Sequence, residues 1–123
     1  MTVQIAHLYA TATVAIAFFQ IALIAGAPLG RYTQGGQHDG ALPLSGRIIA
    51  AVSIPVVLFQ GIAILSAAGF PGLGWPAWTG WAAFGVQVVS TVLNWITPSK
   101  PERALWGPVM LVMSAMALVV LTA

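Results

Sequence analysis

No Lys, Arg, Asp or Glu occurs before Arg31, between Arg47 and Lys100, or after Arg103. Only six side chains in 123 residues are charged (four Lys and Arg, two Asp and Glu), 5 % of the chain, against about 25 % in a soluble domain. So few charges cannot make a water-soluble surface, so hydrocarbon must face most of the molecule. In hydrocarbon every backbone N–H and C=O must be satisfied internally, and a helix does this within a single segment. The expected fold class is therefore all-α, a polytopic membrane protein.

About 20 mostly apolar residues cross the hydrocarbon core as a helix. Four segments have that length and character, roughly 5–26, 48–68, 78–96 and 104–122. Helix-breaking residues separate them: "APLGRYTQGG" and "ALPLSG" after the first, "GFPGLGWP" after the second, "TPSKPER" after the third. Residues 1–123 are thus expected to form a single transmembrane domain, an antiparallel four-transmembrane-helix bundle with one long loop at 27–47.

The loops after the first and third spans share one side and hold Arg31, Arg47, Lys100 and Arg103, all the Lys and Arg of the chain. The positive-inside rule places these loops in the cytoplasm and both termini outside, N-out/C-out, in the inner or plasma membrane of the cell. Trp75, Trp78 and Trp81 would mark the outer interface, and Tyr32, Trp95 and Trp106 the inner one. The "AGA" at 25–27 has the form of a signal-peptidase site. No Lys or Arg precedes it and Pro28 would follow the cut, so a retained helix is expected.

Small and polar residues recur at helical spacing. Ala6, Ala10, Thr13, Ala17 and Gln20 form one stripe; Gly80, Ala83, Gln87, Thr91 and Asn94 form another. Such stripes let helix backbones approach closely in lipid. Gln20, Gln60, Gln87, Ser90, Thr91 and Asn94 are the candidate intramembrane polar contacts. At 1.5 Å per residue, Gln60 and Gln87 should lie within roughly 3–5 Å of each other in depth. Gln20 and Asn94 should match in the inner half. "SKPE" at 99–102 has the form of a capping box, with Ser99 accepting from the Glu102 N–H and Glu102 reaching back. Ser45 is expected to cap the second span. Pro55 and Pro108 fall inside spans two and four and should kink them, a hint of a two-plus-two duplication.

Several chemistries are excluded or disfavoured. There is no cysteine, hence no disulfide, thiol relay or thiolate metal site. No basic stripe suggests nucleic acid as a partner. His7 and His38 belong to opposite faces, so no metal site or other cofactor is expected. "GGQHDG" lacks the Gly-Lys-Ser/Thr ending of a phosphate loop. His38 and Asp39 could act as a base and its orienting acid, but no nucleophile accompanies them. With no carboxylate inside any span, the small multidrug resistance proteins do not fit. The fluoride channels are only faintly echoed by "GAPLGRY", and their third-span Ser/Thr-Phe track is absent. The long loop should fold against the mouth of the bundle. Arg31, His38, Asp39, Arg47, Glu102 and Arg103 are its candidate cytoplasmic-face contacts, and Asp39 could meet Arg103 or Lys100.

Ala25, Gly26, Ala27, Pro28, Gly30, Gly35, Gly36, Leu42, Pro43 and Arg47 compose an "AGAP-G", "GG", "LP", Arg pattern. Asn94, Ser99, Glu102, Arg103, Trp106 and Pro108 continue it. In this pattern the chain resembles an uncharacterised family of small bacterial four-helix integral membrane proteins. The resemblance implies the architecture above and no particular activity. The expected function is a structural or accessory subunit without catalysis, packed in the bilayer against itself or a larger membrane complex. The alternative is a channel or carrier for a small neutral polar solute.

Overall fold

A computed structural model describes residues 1–123. It is all-helical: α1 (Thr2–Ile24), α2 (Leu44–Ala67), α3 (Ala77–Ile96) and α4 (Lys100–Thr122). Two single 3₁₀ turns, Gly30–Tyr32 and Gln34–Gly36, lie in the long connection. Three helices, α1, α2 and α4, are long and apolar enough to cross a membrane. α3 is not among them because Thr79, Gly80, Gly85, Gln87, Ser90, Thr91 and Asn94 dilute its apolar residues.

The helix ends differ from the expected boundaries for identifiable reasons. α1 and α2 close in the same way. Gly26 and Gly69 adopt φ of 95° and 87°. Ala27 N–H bonds Ala22 O at 3.0 Å, and Phe70 N–H bonds Leu65 O at 3.1 Å. This is the Schellman closure, which needs a left-handed residue and so favours glycine. The glycine of "AGA" therefore closes a helix. α2 begins at Leu44, four residues earlier than expected, with Pro43 at its N-cap; Ser45 lies inside the first turn and does not cap. Ser99 does cap α4, accepting from Glu102 N–H at 3.2 Å. The reciprocal half of the box is absent. Ser99 N–H goes to Thr97 Oγ1 at 3.2 Å, and Glu102 turns elsewhere. α2 and α4 continue through Pro55 and Pro108.

Packing follows the small-residue stripes. Ala6, Thr13 and Ala17 of α1 and Gly80, Ala83 and Gln87 of α3 are buried. The main core joins Ala6, Tyr9, Ala63, Ile64, Ala83, Met110, Met113, Ala117 and Val120. It fills the half of the molecule nearer the termini. His7 meets Phe70 there, with ring centroids 5.4 Å apart. A smaller cluster of Leu23, Leu42 and Ala50 ties the start of the long loop to its end.

α1 and α2 cross closely at Gly61. A Cβ added at Gly61 would lie 2.5 Å from Thr13 Oγ1 and 3.6 Å from Ala10 Cα. Gly61→Val is therefore expected to separate α1 from α2 at a cost of about 1–3 kcal/mol. Steric-trap unfolding in bicelles should register it, and unchanged stability would show that the crossing has slack.

Candidate functional site

The polar side chains divide into a bonded layer and a hollow. In the layer, Tyr9 from α1, Gln60 from α2 and Gln87 from α3 meet above Met110 of α4. Tyr9 Oη donates to Gln87 Oε1 at 2.8 Å. Gln60 Nε2 lies 3.3 Å from both Tyr9 Oη and Gln87 Oε1. Gln87 Nε2 reaches Met110 O at 3.3 Å and Met110 Sδ at 3.5 Å. Thr91 Oγ1 extends the network to Met110 O at 3.1 Å and Ser114 Oγ at 2.7 Å. Tyr9 is fully buried and Gln87 is 1 % exposed, so the network takes the place of water for these groups.

Below this layer, toward the long loop, the helices flank an open cavity of about 430 Å³ whose wall includes the exposed Ile48, Ile49, Val52 and Val56 of α2. Gln20, Ser53, Ser90, Asn94 and Glu102 contribute polar groups to its wall, and Gln60 and Gln87 form its far end. Phe19, Tyr32 and Trp106 contribute aromatic rings. A second hollow, of about 540 Å³, shares Ser53, Ser90, Asn94 and Glu102 with the first and is also bounded by Gln34, Gly35 and Thr97. The cavity thus extends to the end of the molecule where the basic residues are. A pocket of a few hundred Å³ with convergent polar groups on apolar walls is a typical small-molecule site.

The loop is docked at this end. Ser99 Oγ donates to Arg31 O at 2.6 Å, and Trp106 Nε1 to Tyr32 O at 2.9 Å. Gln34 Nε2 donates to Gly46 O at 2.9 Å. Glu102, 8 % exposed, accepts on one oxygen from Thr97 Oγ1 and from Gly35 N–H (3.2 Å). Its place in the first turn of α4 also suits a negative charge. Arg47 holds the loop ends, with Nε on Leu42 O at 2.9 Å and Nη1 on Ile24 O at 3.4 Å.

Some expected contacts do not form. Gln20 and Asn94 both line the cavity but do not pair; Asn94 Nδ2 turns back to Ser90 O at 2.7 Å. An amide one turn from a helix carbonyl can use that oxygen's second lone pair at less entropic cost than it reaches across a void. Arg103 Nη2 goes to Thr97 O at 2.8 Å rather than to Asp39, and its Nε is buried without a partner. Arg31 lies over the Tyr32 ring, 5.0 Å from its centroid. His38 and Asp39 are exposed and line neither hollow. Trp106 and Tyr32 are half-buried structural contacts rather than purely interfacial rings.

Tyr9 and Thr97 are among the contributors that the sequence pattern does not single out, as are Met110, Ser114 and Gln34. Tyr9 lies between the small residues of its stripe, three after Ala6 and four before Thr13, and that spacing was its only signal. Thr97 gave none, because its partner Glu102 is oriented by Gly35, 67 positions away. Comparison with protein-family models, with curated proteins and with solved structures finds no match to this chain.

Proposed function

We propose that this protein is a multi-pass protein of the cell membrane that binds a small polar solute in the cavity between its helices. In this reading the four helices form an antiparallel transmembrane bundle with both termini outside and the cavity facing the cytoplasm. α3 is the fourth span. Its 20 residues cover about 30 Å as a helix, and its polar side chains face the interior, while Val88, Val89, Val92 and Leu93 are exposed and in this reading would meet lipid. One observation carries the functional reading: the 430 Å³ cavity, lined by amides, hydroxyls and a carboxylate. Its far end is blocked by the Tyr9–Gln60–Gln87 network and the packed core beyond. A cavity closed at its far end fits a carrier rather than an open channel.

The test is uptake by proteoliposomes of a panel of small polar solutes. Ser53 lines both hollows and bonds only its own helix, to Ile49 O at 2.9 Å. Ser53→Phe is expected to fill the cavity and reduce uptake by about tenfold or more without unfolding the protein. Uptake that is unaffected by the phenylalanine would place the path elsewhere.

A structural or accessory role is the second reading. It rests on the engagement of Gln60 and Gln87 with other helices, which makes them interhelical ties. Native mass spectrometry of the protein gently extracted from its membrane tests this role: co-purification with a larger complex supports it, and a lone protein counts against it.

A further inference from the structure

We propose, building on the solute-binding reading, that the solute carries an organic ammonium group and that Glu102 is its counter-charge. Glu102 lines both the cavity and the hollow leading to it. The two side-chain bonds it accepts, from Thr97 and Gly35, fall on Oε1. No Lys, Arg or His lines either space. The arginines near this end are committed elsewhere: Arg47 to Leu42 and Ile24 carbonyls, Arg103 to Thr97 O, and Arg31 to the Tyr32 ring.

A carboxylate taken out of water favours a cation beside it, and here the protein supplies none from the cavity wall. The rest of the wall suits the same ligand. Phe19 and Trp106 contribute aromatic rings, edge-to-face at 5.0 Å. Aromatic rings combined with a carboxylate are the chemistry that recognises alkylammonium ions. The oxygens of Gln20, Ser53 and Asn94 can accept from an ammonium N–H. An anion would meet the carboxylate with nothing to offset it. A neutral solute of the same shape would leave the carboxylate without a counter-charge. The ammonium group could belong to a free solute or to the headgroup of an aminolipid.

The full-length protein in uncharged maltoside micelles would be titrated calorimetrically with phenethylammonium, with its neutral analogue 2-phenylethanol, and with phenylacetate. The ammonium ion is expected to bind about tenfold or more tightly than the alcohol, and phenylacetate not at all. Glu102→Gln keeps an oxygen for Thr97 and Gly35 and so preserves the loop. It should abolish the preference and leave the affinity for the alcohol intact. Phe19→Leu, which keeps an apolar wall, should weaken the ammonium ion more than the alcohol. Competition by added phosphatidylethanolamine would assign the site to an aminolipid headgroup, and lack of competition to a free solute. Equal binding of ion and alcohol, unchanged in Glu102→Gln, would overturn the charge assignment and leave the solute site standing. If neither binds to the wild type, or if both bind Ser53→Phe as tightly as the wild type, both readings fall.

Discussion

Gln87→Leu is expected to destabilise the folded protein by about 2 kcal/mol, reckoned at about 0.6 kcal/mol for each interhelical hydrogen bond lost in a membrane. Gln87 accepts from Tyr9 and Gln60 and donates to Met110. Leucine fills a similar volume but offers nothing to the Tyr9 hydroxyl, which is fully buried. A buried donor without a partner adds its own desolvation cost. Gln60→Leu should cost less, since Tyr9 and Gln87 stay bonded to each other. A double replacement, Tyr9→Phe with Gln87→Leu, should recover part of the loss because no hydroxyl is then stranded. Steric-trap or chemical unfolding in bicelles would measure all three variants against the wild type. If Gln87→Leu is as stable as wild type, the network contributes nothing to the fold.

Gly30→Ala is expected to undock the long loop at a cost of at least about 2 kcal/mol. A methyl group there would lie 2.0 Å from the His38 carbonyl oxygen and 2.6 Å from that of Gly40. Both are backbone atoms, so no side chain can move aside. The Gly30 N–H to Gly40 O bond of 3.0 Å would break, freeing the segment whose Arg31 and Tyr32 carbonyls hold Ser99 and Trp106. Trypsin should then cut after Arg31 much faster than in the wild type. A cleavage rate equal to wild type would show that the loop absorbs the methyl group. Gly36 is a second such place, with φ of 68° and Ser99 Oγ 2.8 Å from where a Cβ would stand.

Much of the architecture was legible because it depends on local pattern. The absence of charge from 48–99 dictated apolar helices, and Ser99–Glu102 fixed the start of α4. The spacing of Ala6, Thr13 and Ala17 gave the buried face of α1. α3 was harder to read. Counting apolar residues makes it a span like the others, yet the residues that turn it inward also remove it from the helices apolar enough to cross on composition alone.

The candidate site was less legible because it is made of distant positions and of unfilled space. Gln60 and Gln87 were paired by depth, which a helix rise can supply. Tyr9 was missed because depth was not asked of a tyrosine. Glu102 was read as a cap, and its N–H does serve one. What its carboxylate does depends on Thr97, Gly35 and a cavity, and none of these is a local property of "SKPE". Gln20 and Asn94 were assigned to each other; the structure places a void where that bond was expected.

The division of the molecule into a packed half and a hollow half has an electrical consequence. In the proposed orientation, solvent in the cavity stays close to the potential of the cytoplasm. The transmembrane voltage then falls mainly across the packed layer of Tyr9, Ala63, Ala83 and Ala117. A charge held beside Glu102 would feel little of that voltage. Its passage through the packed layer would feel nearly all, about 2.3 kcal/mol per elementary charge per 100 mV. Voltage would therefore act on the step that opens the alanine-rich layer far more than on the step that fills the site.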